Sequence, residues 1–187
     1  MRFSRHSDIG HLEAYLTSML DASLSYAEVG ATLGDRPTGY RHDDDSLTLG
    51  VGDPVFDRAV LGLREWQAHR GAGVRVAPID APLEIGTTVA LALPLLGIST
   101  LAACRVVAVV DEPARFGFAY GALEGHPERG EESFIVDRDG DTITFRISAF
   151  SRPADPLTRI GAPVARAIQR RVTRSYLVAL HAFVNHS

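Results

Sequence analysis

Apolar residues recur along this chain at two spacings, and the change from one to the other divides it. Between Asp8 and Leu20, Ile9, Leu12, Leu16 and Leu20 stand close to one helical turn apart, with Asp8 placed as N-cap. Leu24–Thr32 is aromatic and β-branched enough to read as a strand, Gly34–Asp45 as a Gly-, Pro- and Asp-rich loop, and Leu47–Val51 as a short strand. Asp53-Pro54 then predicts a second helix, over 53–70, with Asp as N-cap and Pro at the first helical position. Its apolar face is Val55, Phe56, Ala59, Val60, Leu63 and Trp66, and Gly71 or Gly73 stops it. Beyond it the period shortens to two. Val74–Ala77, Thr87–Leu93, Thr100–Val110, Arg115–Tyr120, Glu132–Arg138 and Asp141–Phe150 read as strands. Asp139-Gly140 is the strongest hairpin signal, because the central residues of a type I′ turn need positive φ. In the last strand Ile143, Phe145, Ile147 and Ala149 alternate with Thr142, Thr144, Arg146 and Ser148, which gives one core face and one more polar face.

Asp155-Pro156 repeats the cap-plus-proline start, and a helical pattern runs from there to about Val184. Leu157, Ile160, Val164, Ile168, Val172, Ser175 and Ala179 share one face, while Arg159, Arg166, Arg170 and Arg174 fall on another. Pro163 either kinks this helix or marks its true start. Arg171 sits at the edge of the apolar face. A charge there must pair, with the protein's own carboxylate or with a ligand's anionic head, and the internal pair is the ordinary case. Antiparallel strands followed by one long amphipathic helix make this an α+β chain.

Several runs carry a resemblance. Cys104-Arg-Val-Val107, Arg115-Phe-Gly-Phe-Ala-Tyr-Gly121, Gly125-His-Pro-Glu128, Gly130-Glu-Glu132, Ala149-Phe-Ser-Arg-Pro153 and Arg170-Arg-Val-Thr-Arg174 resemble an uncharacterised bacterial and plant family, domain of unknown function nineteen-ninety. Tyr26-Ala-Glu-Val-Gly30 and Gly39-Tyr40 match its N-terminal part, so the family-like region spans about 24–184 and leaves out the leading helix. That family in turn resembles the START and birch-pollen-allergen (polyketide cyclase-like) superfamily. The resemblance implies a helix-grip fold: a curved antiparallel sheet wrapped around a long C-terminal helix, with a cavity between them. It implies no established activity.

Composition narrows the function classes. With 187 residues the chain reads as one domain, 1–187, able to bury roughly 70% of the surface its unfolded form exposes. A net charge of −4 argues against a dedicated nucleic-acid binder. All 19 basic residues are Arg, which reflects GC-rich coding before it reflects chemistry. From Ser151 onward there are six Arg against one Asp, but no aromatics interleave with them as in single-strand binders, and a solvated helix side is the simpler reading. A single cysteine, Cys104, permits no intrachain disulfide and fits a reducing cytoplasm. Met1–Asp8 has no apolar core of a secretory signal. The longest apolar run, Val89–Cys104, is broken by Pro94, Gly97, Ser99 and Thr100 and is shorter than the ~18–20 residues of a spanning helix. The expectation is a cytoplasmic protein with no membrane span.

Candidate chemistry is sparse. Thr48-Leu-Gly-Val-Gly52 precedes a helix, but Val55 stands where a dinucleotide loop needs Gly, and Asp53 would repel phosphate. His126-Pro-Glu128 matches half of a zinc-deaminase signature whose cysteine half is absent. His126, Glu128, Glu131 and Glu132 could hold a divalent ion, yet a charged surface loop paired with nearby Arg is the simpler reading, and more so for His42-Asp-Asp-Asp45. Cys104 reads as a small buried thiol rather than a nucleophile, because Arg105 points to the other face of a strand. No G-x-S-x-G elbow exists.

The sequence therefore predicts a binding module for a small apolar or amphipathic molecule, with no cofactor and no metal. Tyr26, Glu28, Trp66, Tyr120, His126, Arg152 and Arg171 are the candidate ligand-binding residues. The alternative is a small cyclase- or hydrolase-type enzyme, with His126, Glu128 and Glu132 as catalytic candidates and Arg152 or Arg171 as anion stabiliser. A third reading is an interaction module using the Arg-rich helix, with salt-sensitive binding to an acidic partner. The geometric discriminator is whether Tyr26, Glu28, Trp66, Tyr120, His126 and Arg171 converge on one cavity.

Overall fold

The computed structural model describes residues 2–4, 9–95, 98–154 and 162–186. In chain order come β1 (Arg2–Ser4), α1 (Ile9–Met19), a 3-10 turn (Ala31–Leu33), β2 (Arg41–Val51), α2 (Asp53–Arg64), α3 (Gln67–Gly71) and β3 (Arg75–Ala77). β4 (Thr88–Leu95), β5 (Ile98–Glu112), β6 (Arg115–Ala122), β7 (Glu128–Asp139), β8 (Thr142–Pro153) and α4 (Ala162–Asn185) follow. The strands form one antiparallel sheet in the order β2-β8-β7-β6-β5-β4-β3, and β1 pairs with the start of β5 beyond the end of β6. Its curved face packs on α2, α3 and α4. This is the helix-grip α+β arrangement.

The inner face is built by strict alternation. Phe116, Phe118 and Tyr120 of β6, Phe134 and Val136 of β7, and Ile143, Phe145 and Ile147 of β8 all enter the core beneath the three helices. α2 and α4 approach closely because Gly62 has no side chain: a Cβ there would stand 2.6 Å from Leu180 Cδ1. The outer face is covered as well, which alternation alone does not indicate. α1 lays Leu12 and Tyr15 on the small residues Ala90, Ala92 and Ala103.

Several expected elements take another form. Leu24–Thr32 is not a strand. One bridge, Leu24↔Leu123, is followed by bends and the 3-10 turn, because the donors of this segment bind a side chain instead of a ladder. The expected loop over 34–45 is partly strand, since β2 begins at Arg41 and runs antiparallel along β8 at the sheet edge. An edge strand tolerates Asp43, Asp44 and Asp45, because backbone pairing holds it while its side chains meet water. The second helix breaks at Trp66, whose left-handed φ of +58° separates α2 from α3 and turns the indole inward. The charged loop expected between Gly121 and Glu132 shrinks to Leu123–Pro127, so Glu128, Glu131 and Glu132 belong to a strand. The β7–β8 hairpin closes at Asp139↔Thr142, which makes Gly140 (φ +56°) the first central residue rather than the second.

Pro163 falls in the first turn of α4. The expected caps at Asp8 and Asp155-Pro156 lie outside the described residues. Of the expected face of α4, Ala179 is buried and Ile168 and Val172 line the space under the helix, but the buried side also takes in Thr173, Tyr176, Leu177, Leu180 and Val184, and Arg171 is exposed together with Arg170 and Arg174.

Candidate functional site

Side-chain size falls along the inner face from one end of the sheet to the other. Phe118, Phe134 and Ile147 form one cross-strand row, followed by Tyr120, Glu132 and Ala149. Beyond these stand Ala122, Gly130 and Ser151, flanked on β5 by Ala102 and Cys104. The aromatic end is solid core. At the small end the sheet and α4 cannot meet, and a cavity of about 260 Å³ is left between them. Leu91, Leu93, Ala102 and Cys104 line one wall, and Ile168, Val172, Thr173 and Tyr176 of α4 line the other.

The row that divides core from cavity carries the polar groups. Tyr120 Oη donates to Glu132 Oε2 at 2.9 Å, and His69 Nε2 lies 3.2 Å from the same phenol oxygen. The phenol has one proton, and it is engaged on the carboxylate. When Glu132 is ionised, Nε2 therefore carries the imidazole hydrogen and donates; Nδ1 is buried without a partner among the described residues. His69 reaches this place through the break at Trp66, and its ring packs against Trp66, Phe134 and Tyr176. Trp66 is held in turn by Nε1 donating to Ala81 O at 2.9 Å.

Burial sets the charge states. It pulls His69 down to about 3, assisted by Arg70, so the imidazole is neutral. It pushes the Tyr120 and Tyr176 phenols well above their ordinary value and the Cys104 thiol upward as well. It raises Glu132 from 4.5 to about 7, against the hydrogen bond from Tyr120 and with the help of Glu128 and Asp43. Glu132 is thus the group of this row that changes charge near neutrality.

Glu131, the next residue, points the opposite way, as strand alternation requires. The residue is 3% exposed, and its carboxylate on the outer face accepts from Tyr26 Oη at 2.7 Å, Gly30 N at 2.7 Å, Thr32 N at 3.0 Å and Thr32 Oγ1. Glu131 consequently does not join His126, Glu128 and Glu132, and among the described residues no three His, Cys, Asp or Glu side chains are grouped to hold a metal ion.

Of the residues singled out in the sequence, Tyr120, Glu132, His126 and Glu128 line the cavity. His126 folds onto its own loop, with Nδ1 2.8 Å from Glu128 O and 3.0 Å from Glu128 N, and burial holds the imidazole below its ordinary range. Trp66 stacks behind Tyr120, with centroids 6.3 Å apart, without lining the cavity. Tyr26, Glu28 and Arg152 gather on the outer face. There Tyr40 Oη donates to Glu28 at 2.6 Å, holding that carboxyl below its ordinary value, and the Arg152 guanidinium lies 4.5 Å from the Tyr40 ring centre. Arg171 is exposed, so the expected six do not converge on one cavity. Sequence reasoning missed His69 and Tyr176. Tyr176 lies outside the apolar face assigned to the helix, and no spacing reports the turn that brings His69 inward.

Residues 25–179 match the family model described as Domain of unknown function (DUF1990). The chain belongs to this family. A fellow relative from Deinococcus radiodurans, a UPF0548 protein, is 35% identical over 175 residues, covering 87% of this chain and 88% of its own. Among solved structures, the DUF1990 chain resembles the Zhui aromatase/cyclase from Streptomyces sp. R1128 (17% identity, TM-score 0.55, covering 78% of this chain and 93% of that one). It also resembles Ara h 8.0201 (12% identity, TM-score 0.52, covering 80% and 100%). These likenesses show that the DUF1990 chain shares its fold with both proteins. Among the described residues no helix is long and apolar enough to cross a membrane.

Proposed function

We propose that this protein binds a small apolar or amphipathic molecule in the cavity between the sheet and α4. The observation that carries the reading is the decline in inner side-chain size past the Tyr120–Glu132–Ala149 row, which leaves about 260 Å³ against an apolar helix face. A packed domain fills such space with side chains, and an apolar lining with a few convergent polar groups is the usual form of a ligand site. The lone buried Cys104 is in keeping with a reducing cytoplasm as its compartment.

Uptake of 1-aminoanthracene, a small apolar fluorophore, tests the reading. The native protein is expected to bind it with a blue-shifted, enhanced emission. Ala102→Phe places a ring in the cavity and is expected to weaken binding at least about 100-fold, a difference of about 2.7 kcal/mol, with the thermal transition retained. Equal binding by both proteins would place the probe elsewhere and reject the cavity as the site.

A second reading is favoured by one observation, a carboxyl shifted to about 7 at the cavity wall beside a phenol and a neutral imidazole. Groups poised near working pH suit proton transfer. The superfamily neighbour named an aromatase/cyclase supports an enzyme on this fold only by analogy. In this reading Glu132 is the base and Tyr120 its partner, while His126 and Glu128 belong to the lining. Turnover that survives Glu132→Gln would remove it.

A further inference from the structure

The charged part of the cavity lining is one-sided. In a chain with 19 Arg, the described lining contains no Arg, and its acidic residues are Glu128, Glu131 and Glu132, of which Glu131 turns its carboxylate to the outer face. Glu131 is saturated on the outer face by Tyr26, Gly30 and Thr32. Glu132 is not: among the described residues Tyr120 is the one donor to its carboxylate. Around Glu132 stand Tyr120 from β6, His69 from α3, Tyr176 from α4, Cys104 from β5, Glu128 from β7 and Asp43 from β2. None of these is cationic at neutral pH, since His69 is held neutral. Arg41 comes near the same end of the cavity, but its guanidinium is engaged by Asp43, Ser151 Oγ and Gln169 Oε1.

A second polar atom is uncommitted. Thr100, 8% exposed and part of the lining, has a buried Oγ1 with no hydrogen-bond partner among the described residues. A native interior seldom leaves such a hydroxyl unpaired unless a water or a ligand completes it. Thr100 can accept or donate, but it cannot neutralise an anion.

We infer that the ligand presents a hydrogen-bond-donating cation, an amine on an apolar body, to Glu132 at the Tyr120 end of the cavity. The inference rests on the cavity-binding reading and specifies its ligand class. A carboxylate facing an apolar space without a countercharge favours a ligand that supplies one. A fatty-acid carboxylate at the same place would set two like charges together with no described cation between them. An alcohol satisfies the hydrogen bond but not the charge and falls between the two.

Three probes with one chain length, decylamine, decanol and decanoate, are titrated at pH 8 as competitors of 1-aminoanthracene. Decylamine is expected to bind at least about tenfold more tightly than decanol, and decanoate most weakly, with Glu132→Gln removing the advantage of the amine over the alcohol. Circular dichroism and a retained thermal transition verify the fold of the variant. Decanoate binding as tightly as decanol, or an amine advantage that persists in Glu132→Gln, would overturn the inference while leaving the cavity reading intact. If neither 1-aminoanthracene nor any of the three binds, the cavity reading falls and the inference falls with it.

Discussion

Replacing Glu131 by alanine is expected to cost about 3–5 kcal/mol of stability, because four neutral donors lose their shared acceptor and each one left buried and unsatisfied costs about 1–3 kcal/mol. The carboxylate collects the Tyr26 phenol, the backbone N–H groups of Gly30 and Thr32 and the Thr32 hydroxyl. It thereby fastens a segment with almost no ladder bonding onto the outer face of the sheet. Truncation leaves these donors facing a hollow beside Phe150, whose ring meets Tyr26 edge-on at 5.6 Å. The seat of Tyr26 is equally specific, since a Cβ at Gly121 would lie 2.1 Å from the phenol oxygen. Glutamine keeps one acceptor oxygen but turns an NH2 towards donors, so Glu131→Gln should fall between alanine and the native protein. Urea denaturation gives the magnitude, and hydrogen exchange at Gly30 and Thr32 gives the location. A loss below about 1 kcal/mol would mean that Glu131 does not hold the segment.

Glu132, its neighbour in sequence, should behave in the opposite way. Its carboxyl is raised from 4.5 to about 7 in the folded protein, so the native state keeps a proton that the unfolded chain has already released. This contribution is fully present below about 4.5 and is lost as pH rises through about 7, amounting to about 3 kcal/mol for a shift of that size. Glu132→Gln accepts the Tyr120 hydrogen bond without ionising. The variant should therefore match the native protein near pH 4.5 and exceed it by about 2–3 kcal/mol at pH 8. Parallel stability curves for the two proteins between pH 4.5 and 8 would show that Glu132 is ionised at little cost.

These two glutamates also mark what the sequence makes legible. Local alternation and turn chemistry suffice to locate β3 to β8 and α1, because each is specified by residues a few positions apart; Asp53-Pro54 marks where α2 begins, although its N-cap is Gly52 and Asp53 is the first helical residue, with no side-chain cap bond. Glu131 and Glu132 look alike in sequence. Only their membership of a strand, rather than a loop, sends one to fasten an outer segment and the other into a cavity. Leu24–Thr32 fails as a strand for the same reason: its partner is a carboxylate about a hundred positions away. Tyr120 was legible as an inward-facing residue, and with it Glu132, its cross-strand partner. His69 was not, because the left-handed turn at Trp66 that delivers it depends on packing against Phe118 and on the bond to Ala81 O. The exposure of Arg171 and the burial of Tyr176 on α4 are likewise decided by contacts with α2 and α3, including the close approach at Gly62.

Binding in the cavity beneath α4 is tested most directly by a methyl-resolved NMR titration with decylamine. Saturable shifts are predicted at Leu91, Leu93, Ala102 and Val172, with the methyls of Leu12 and the outer face unmoved. Shifts confined to the surface, or none at all up to the solubility limit of the probe, would contradict the account.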